Sequence, residues 1–185
     1  MRVVFGGSFN PPTIAHREII KELSSMFEEV IIVPNGNNYN RKELDHYNHR
    51  LNMIKIMTND LSNVIISNIE HTRKFIGTYQ TLRDLNHPVF AFGDDWLSDL
   101  EGWINSTVLL EENNFIVITR DKSVSEIYSI IENDSFLNKY KDRFNVIKID
   151  FPNVSSSIFR TKFDKNIVTE EVYDYILKNN IYKEE

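Results

Sequence analysis

Met1-Arg-Val-Val-Phe-Gly6-Gly7-Ser8-Phe9-Asn10-Pro11-Pro12-Thr13-Ile14-Ala15-His16 opens the chain, and its reading decides the fold. Val3, Val4 and Phe5 form a continuous apolar run, as a strand covered on both faces requires. Gly6 and Gly7 permit a tight turn and a close approach of the backbone to a ligand. Pro12 suits the first position of a helix, where an N–H would find no partner within the helix. Thr13 and His16 then share one face of the first helical turn. Free N–H groups, the helix dipole, a hydroxyl and an imidazole converge there, so the turn reads as an anion site with chemistry attached.

Beyond this stretch the pattern repeats. Ile14, Ile19, Ile20, Leu23 and Phe27 predict a helix over about residues 12–27, and Val30–Val33 a second buried strand ended by Pro34. Residues 36–47 have no clean period and read as a polar loop. Leu51, Ile54 and Met57 mark a helix before the strand Val64–Ser67, and Thr78–Asn86 a short helix before the strand Val89–Phe92. Trp103–Leu110 reads as helical, Phe115–Thr119 as a strand, Val124–Ile131 as a helix and Val146–Ile149 as a last strand. Ser155–Phe163 and Glu170–Lys178 end the chain as helices. Strands alternating with helices in this way predict an α/β, Rossmann-like, doubly wound parallel sheet with helices on both faces and a helical C-terminal segment. In such sheets the ligand crevice lies beyond the carboxyl ends of the strands. Gly6–His16, Pro34–Lys42, Gly93–Trp103 and Val154–Arg160 all fall just past strand ends, and four polar segments on one rim outweigh any one of them.

Composition narrows the class. The 185 residues are 41% hydrophobic and 26% charged, which excludes both a disordered tail and a membrane protein and suits one domain spanning residues 1–185. A net charge of -6 argues against holding long nucleic acid by counterion release, yet allows a small phosphorylated ligand held by a few local cations. With no cysteine there is no thiolate metal site and no cysteine nucleophile. His46, His49, His71 and His87 lack metal-ligand spacing, and no metal is expected on protein ligands alone. The chain shows neither a signal-like opening nor an apolar run of about 18 residues, so a cytoplasmic protein without a membrane partner is expected. Nothing in the sequence sets an oligomeric state.

The two standard nucleotide loops are missing: there is no G-x-x-x-x-G-K-S/T, and Gly6-Gly7-Ser8-Phe9 lacks the G-x-G-x-x-G spacing. Instead, Gly7-Ser8-Phe9-Asn10-Pro11, Thr13-x-x-His16 and Ser155-Ser156-Ser157-Ile158-Phe159-Arg160 resemble the G-S/T-F-D/N-P, H/T-x-G-H and S-S-S/T-x-x-R/K motifs of the nucleotidylyltransferase superfamily. Within it the chain most resembles the nicotinate-nucleotide adenylyltransferases. Gly93-x-Asp95 followed by Trp103, the segment Gly77-Thr78-Tyr79-Gln80-Thr81-Leu82, and the end Val172-x-x-Tyr175-Ile176-x-x-Asn179-x-Ile181-Tyr182 carry that likeness over nearly the whole chain. It departs where the family usually has His at the place of Thr13, Gly at that of Ala15, a Tyr-Thr pair at Gly77-Thr78 and Pro-His-Lys at Asn40-Arg41-Lys42.

The resemblance implies adenylyl transfer from Mg-ATP to nicotinate mononucleotide, giving deamido-NAD and pyrophosphate, a step in NAD biosynthesis. Another phosphomonoester acceptor (phosphopantetheine or nicotinamide mononucleotide) and a non-catalytic nucleotide-binding module remain the alternatives. The attacking phosphate has a second pKa of about 6 and is already mostly dianionic at neutral pH, so no general base is needed. The protein's work is then to position and to stabilise charge. His16 with Thr13 beside it, Lys42 and Arg160 are the candidate catalytic groups. Gly6, Gly7, Ser8, Phe9, Thr13, His16, Gly93, Asp95, Ser155, Ser156, Ser157 and Arg160 are the candidate ATP contacts. Asn10, Lys42, Thr78, Asp95 and Trp103 are the candidate acceptor contacts, with Trp103 stacking on the pyridine ring and Thr78 donating to its carboxylate. Trp103 equally suits a core position, Lys42 a solvated loop, and Asp94-Asp95 a helix cap. Mg²⁺ is expected to be held chiefly by the ATP phosphates and water.

Overall fold

The computed structural model describes residues 1–36 and 46–182. Six strands, β1 (Arg2–Gly7), β2 (Glu29–Pro34), β3 (Val64–Ile66), β4 (Val89–Gly93), β5 (Phe115–Thr119) and β6 (Phe144–Lys148), form one sheet in the order β3-β2-β1-β4-β5-β6. Every pairing is parallel. The helices are α1 (Ile14–Met26), α2 (Tyr47–Met57), α3 (Ile69–Thr72), α4 (Thr78–Asp84), α5 (Ser106–Glu112), α6 (Val124–Asn133), α7 (Ser156–Lys162) and α8 (Glu170–Asn179). This is the doubly wound parallel sheet the sequence predicts, and its strand order reverses between β1 and β4.

The strand alternation divides the interior into two layers. Val3, Phe5, Val30 and Ile32 point into one core, with Ile20 and Leu23 of α1, Met53 and Ile54 of α2, Phe159 of α7 and Val172 and Ile176 of α8. Val4, Ile31, Phe90, Phe92 and Val117 point into the other, with Leu82 of α4, Leu109 and Leu110 of α5 and Ile127 and Ile131 of α6. Strands buried on both faces explain why their sequences read as unbroken apolar runs.

Several boundaries differ from the sequence reading for local reasons. α1 starts at Ile14 because Thr13 is its N-cap, so Pro12 lies outside the helix. The helix expected from Trp103 is two elements. A 3₁₀ helix, Asp94–Gly102, ends at Trp103, and α5 follows from Ser106. Leu97 and Leu100 are its buried residues, and their spacing suits three residues per turn. The four-residue α3 and the 3₁₀ turns at Leu137–Arg143 and Lys165–Ile167 are too short to leave a period in the sequence. Among the described residues no helix is long and apolar enough to cross a membrane.

Candidate active site

The strand order puts the ends of β1 and β4 side by side. Phe5 pairs with Ala91, and that register carried two residues on sets Gly93 level with Gly7. The opening turn and the Gly93-Asp94-Asp95 segment therefore leave the sheet next to each other at its switch point.

Within the turn, Thr13 and His16 bind each other. The Thr13 N–H donates to His16 Nδ1 at 3.0 Å, the His16 N–H donates to Thr13 Oγ1 at 3.4 Å, and Thr13 Oγ1 lies 2.8 Å from Nδ1. This is a capping box with an imidazole where glutamate usually stands. Thr13 is fully buried, so its hydroxyl is spent on holding the ring. Because Nδ1 accepts a backbone N–H, the neutral ring carries its hydrogen on Nε2. Desolvation pushes the His16 pKa down to about 4. At neutral pH His16 is thus an uncharged hydrogen-bond donor in one fixed tautomer.

Phe9 is buried to 1% exposure, with its ring 5.0 Å from His16 and 5.9 Å from Phe5. Its φ of 48° is left-handed, an unfavourable conformation for a bulky side chain that the packed surroundings hold in place. Among the candidate ATP contacts, then, Phe9 packs beneath the turn and backs the imidazole.

The serine segment meets the turn as the motif pairing implies. Ser156 Oγ donates to the Pro11 carbonyl at 2.7 Å, and the Arg160 guanidinium donates to the Asn10 carbonyl. Ser157 Oγ accepts from Arg160 Nη2 at 3.3 Å, while Ser155 caps α7 by accepting the Ile158 N–H at 3.2 Å. Arg160 remains exposed, so its planar fork lies at the surface beside the turn.

On the β4 side the two aspartates separate. Asp94 binds Lys122 Nζ at 2.8 Å and Thr119 Oγ1 at 3.4 Å, joining the ends of β4 and β5. Asp95 folds back over Gly93, where a Cβ would stand 2.5 Å from its Oδ1, so a side chain there would have to move the Asp95 carboxylate. Loss of hydration raises the Asp95 pKa, and the charges of Asp94 and Asp99 add to the rise.

Gly77 and Thr78 stand at the start of α4. Gly77 has φ 124°, which non-glycine residues rarely adopt, and a Cβ there would meet Tyr79 at 2.8 Å and Ile104 at 3.1 Å. Glycine at this departure from the family pattern is therefore required by the backbone and by Ile104. That contact brings the Thr78 segment against the Trp103 segment. Trp103 is half-buried in an aromatic cluster, 6.2 Å from Phe90, 6.5 Å from Phe92 and 5.9 Å from the exposed Trp96. Lys42 lies outside the described residues.

Two buried charges escaped the sequence reading. Arg50 is 0% exposed and forks between two carbonyls, Ser8 at 2.7 Å and Asn35 at 2.7 Å, so it binds the ends of β1 and β2 together. Its signal was a charge at the phase of the buried Tyr47, Ile54 and Met57 on α2, where periodicity calls for an apolar residue. Glu70 is 8% exposed and accepts from Thr81 Oγ1 at 3.1 Å. Burial raises its pKa to about 7 against the opposing pull of Thr81 and Arg73. Among the described residues, no group of three or more histidine, aspartate or glutamate side chains is placed to hold a metal ion.

Comparison with known proteins agrees with the fold. A family described as Cytidylyltransferase-like matches residues 4–162. A protein of Acholeplasma laidlawii named "Probable nicotinate-nucleotide adenylyltransferase" is 35% identical over 193 residues, covering 100% of this chain and 98% of that protein. A Clostridium acetobutylicum protein of the same name is 32% identical, covering 98% of each. Among solved structures, the Plasmodium falciparum nicotinic acid mononucleotide adenylyltransferase complexed with NaAD superposes with a TM-score of 0.78 at 26% identity, covering 98% of this chain and 96% of that one.

Proposed function

This chain belongs to the nicotinate-nucleotide adenylyltransferase family, and from that premise we propose that it transfers the adenylyl group of ATP to nicotinate mononucleotide, giving deamido-NAD and pyrophosphate. The observation that carries the reading is the locked Thr13–His16 pair on the turn that Ser156 and Arg160 grip from the far end of the chain.

The acceptor phosphate attacks the α-phosphorus, and its own charge makes it a sufficient nucleophile. Catalysis then rests on positioning and on stabilising charge as pyrophosphate departs. His16 gives Nε2–H to a phosphoryl oxygen, and with Nδ1 already held no reorganisation is needed at the moment of transfer. Thr13 sets the ring. Arg160 supplies fixed positive charge beside the turn, and Lys42 is the second candidate cation for the phosphates. Gly6, Gly7 and Ser8 offer backbone to the triphosphate, and Asp95 meets a ribose hydroxyl. Asn10, Thr78 and Trp103 receive the acceptor, with the Trp103 ring against the pyridine. Mg²⁺ would enter bound to ATP and would supply positive charge to its phosphates. Such a reaction, between soluble phosphorylated substrates, belongs in the cytoplasm.

Pyrophosphate release with Mg-ATP, assayed against nicotinate mononucleotide, nicotinamide mononucleotide and phosphopantetheine, tests the acceptor. The reading expects the first to be used best. Turnover with phosphopantetheine alone would overturn it.

A further inference from the structure

The last described residue of the chain reaches back to the opening turn. After α8 the backbone passes through Asn180 in a left-handed conformation, φ 54°, and the Ile181 N–H donates to the Ile176 carbonyl at 3.3 Å. That bend delivers the Tyr182 ring edge-on to Phe159, with centroids 6.0 Å apart. The Tyr182 hydroxyl donates to Asn10 Oδ1 at 2.7 Å across 172 residues of sequence.

Asn10 is a demanding place for such a contact. It is 3% exposed, its carbonyl is taken by Arg160, and the following carbonyl, that of Pro11, is taken by Ser156. A buried side-chain amide has one accepting end and one donating end, and rotating it exchanges the two. A phenol can donate or accept, so the 2.7 Å contact ties down the place of the Asn10 side chain whichever end of the amide meets it.

We propose that Tyr182 is a positioning residue for adenylyl transfer, anchoring the buried Asn10 side chain and, through it, the turn that carries Thr13 and His16. The C-terminal segment is thereby part of the site's support as well as of the core. This rests on the reading of the opening turn as the nucleotide site.

The test uses the full chain with Tyr182→Phe, Asn10→Ala and the double variant. Tyr182→Phe keeps the ring on Phe159 and removes only the hydroxyl, leaving a buried acceptor without that donor. It should lower kcat/KM by about tenfold and Tm by a few degrees, the cost of leaving that buried acceptor without the phenol. The double variant should be no slower than Asn10→Ala, since Tyr182 acts through Asn10. Additive losses, wild-type rates in Tyr182→Phe, or a fall in Tm without a rate effect would each overturn the proposal. Amide hydrogen exchange of residues 8–16 makes failure of the underlying reading distinguishable. If the wild-type protein releases no pyrophosphate, that reading fails, while the support role still requires faster exchange of these amides in Tyr182→Phe. Unchanged exchange would refute it.

Discussion

The His16 imidazole should not titrate in the range where histidine ordinarily does. Its pKa falls from 6.5 to about 4, and at ~1.4 kcal/mol per unit, protonating it costs about 3 kcal/mol more in the native state than in the unfolded chain. The ring would be charged in about one molecule in a thousand at pH 7, and about one in ten at pH 5. The sign follows directly. Between 6.5 and about 4 the unfolded chain binds the proton and the native state does not, so this contribution is full above 6.5 and is lost as pH falls through that window. Two-dimensional NMR of the nucleotide-free protein reports both features. The His16 ring should show the Nε2–H tautomer and no titration step from pH 8 down to 5. Its removal in His16→Ala should lower kcat by about 10²-fold or more with little loss of fold. A midpoint near 6.5, or hydrogen on Nδ1, would refute the account of His16 as a preset neutral donor.

Glu70 makes the opposite linkage. Its native pKa of about 7 lies above the unfolded 4.5, so its contribution is full below 4.5 and is lost as pH rises through 7. Glu70→Gln should therefore match the wild type in thermal melts at pH 5 and exceed it by about 2–3 kcal/mol at pH 8; an equal difference at both pH values would contradict this. Arg50→Lys keeps a charge but cannot span the Ser8 and Asn35 carbonyls as a fork, and should cost about 1–3 kcal/mol in denaturant unfolding with a raised KM for ATP. Wild-type stability and KM in that variant would show the bridge to be dispensable.

The architecture was legible because buried parallel strands write themselves as apolar runs, as at Val3–Phe5 and Phe115–Ile118, and amphipathic helices as a period. The pairing of Gly6–His16 with Ser155–Arg160 was legible as motif, and the Ser156–Pro11 and Arg160–Asn10 bonds supply the contact. What the residues hold was less legible. Phe9 lies in the core and Ser155 is spent on a cap, because a motif records which residue is required and not whether it serves the ligand or the loop. Arg50 and Glu70 were missed because each depends on partners far off in sequence: Arg50 on the Ser8 carbonyl 42 residues away, Glu70 on burial beside Thr81. The Asp94–Gly102 turn was missed because tight 3₁₀ geometry leaves no 3.6-residue period.

The central claim is that the clamped turn and Arg160 hold ATP while its adenylyl group passes to nicotinate mononucleotide. A single-turnover experiment with ATP labelled at the α-phosphorus tests it most directly, run on the wild type, His16→Ala and Arg160→Ala. The account predicts label in deamido-NAD with one pyrophosphate released for each, and about 10²-fold slower transfer in both variants. Label remaining in ATP or appearing as AMP in the wild type, or undiminished transfer in both variants, would contradict it.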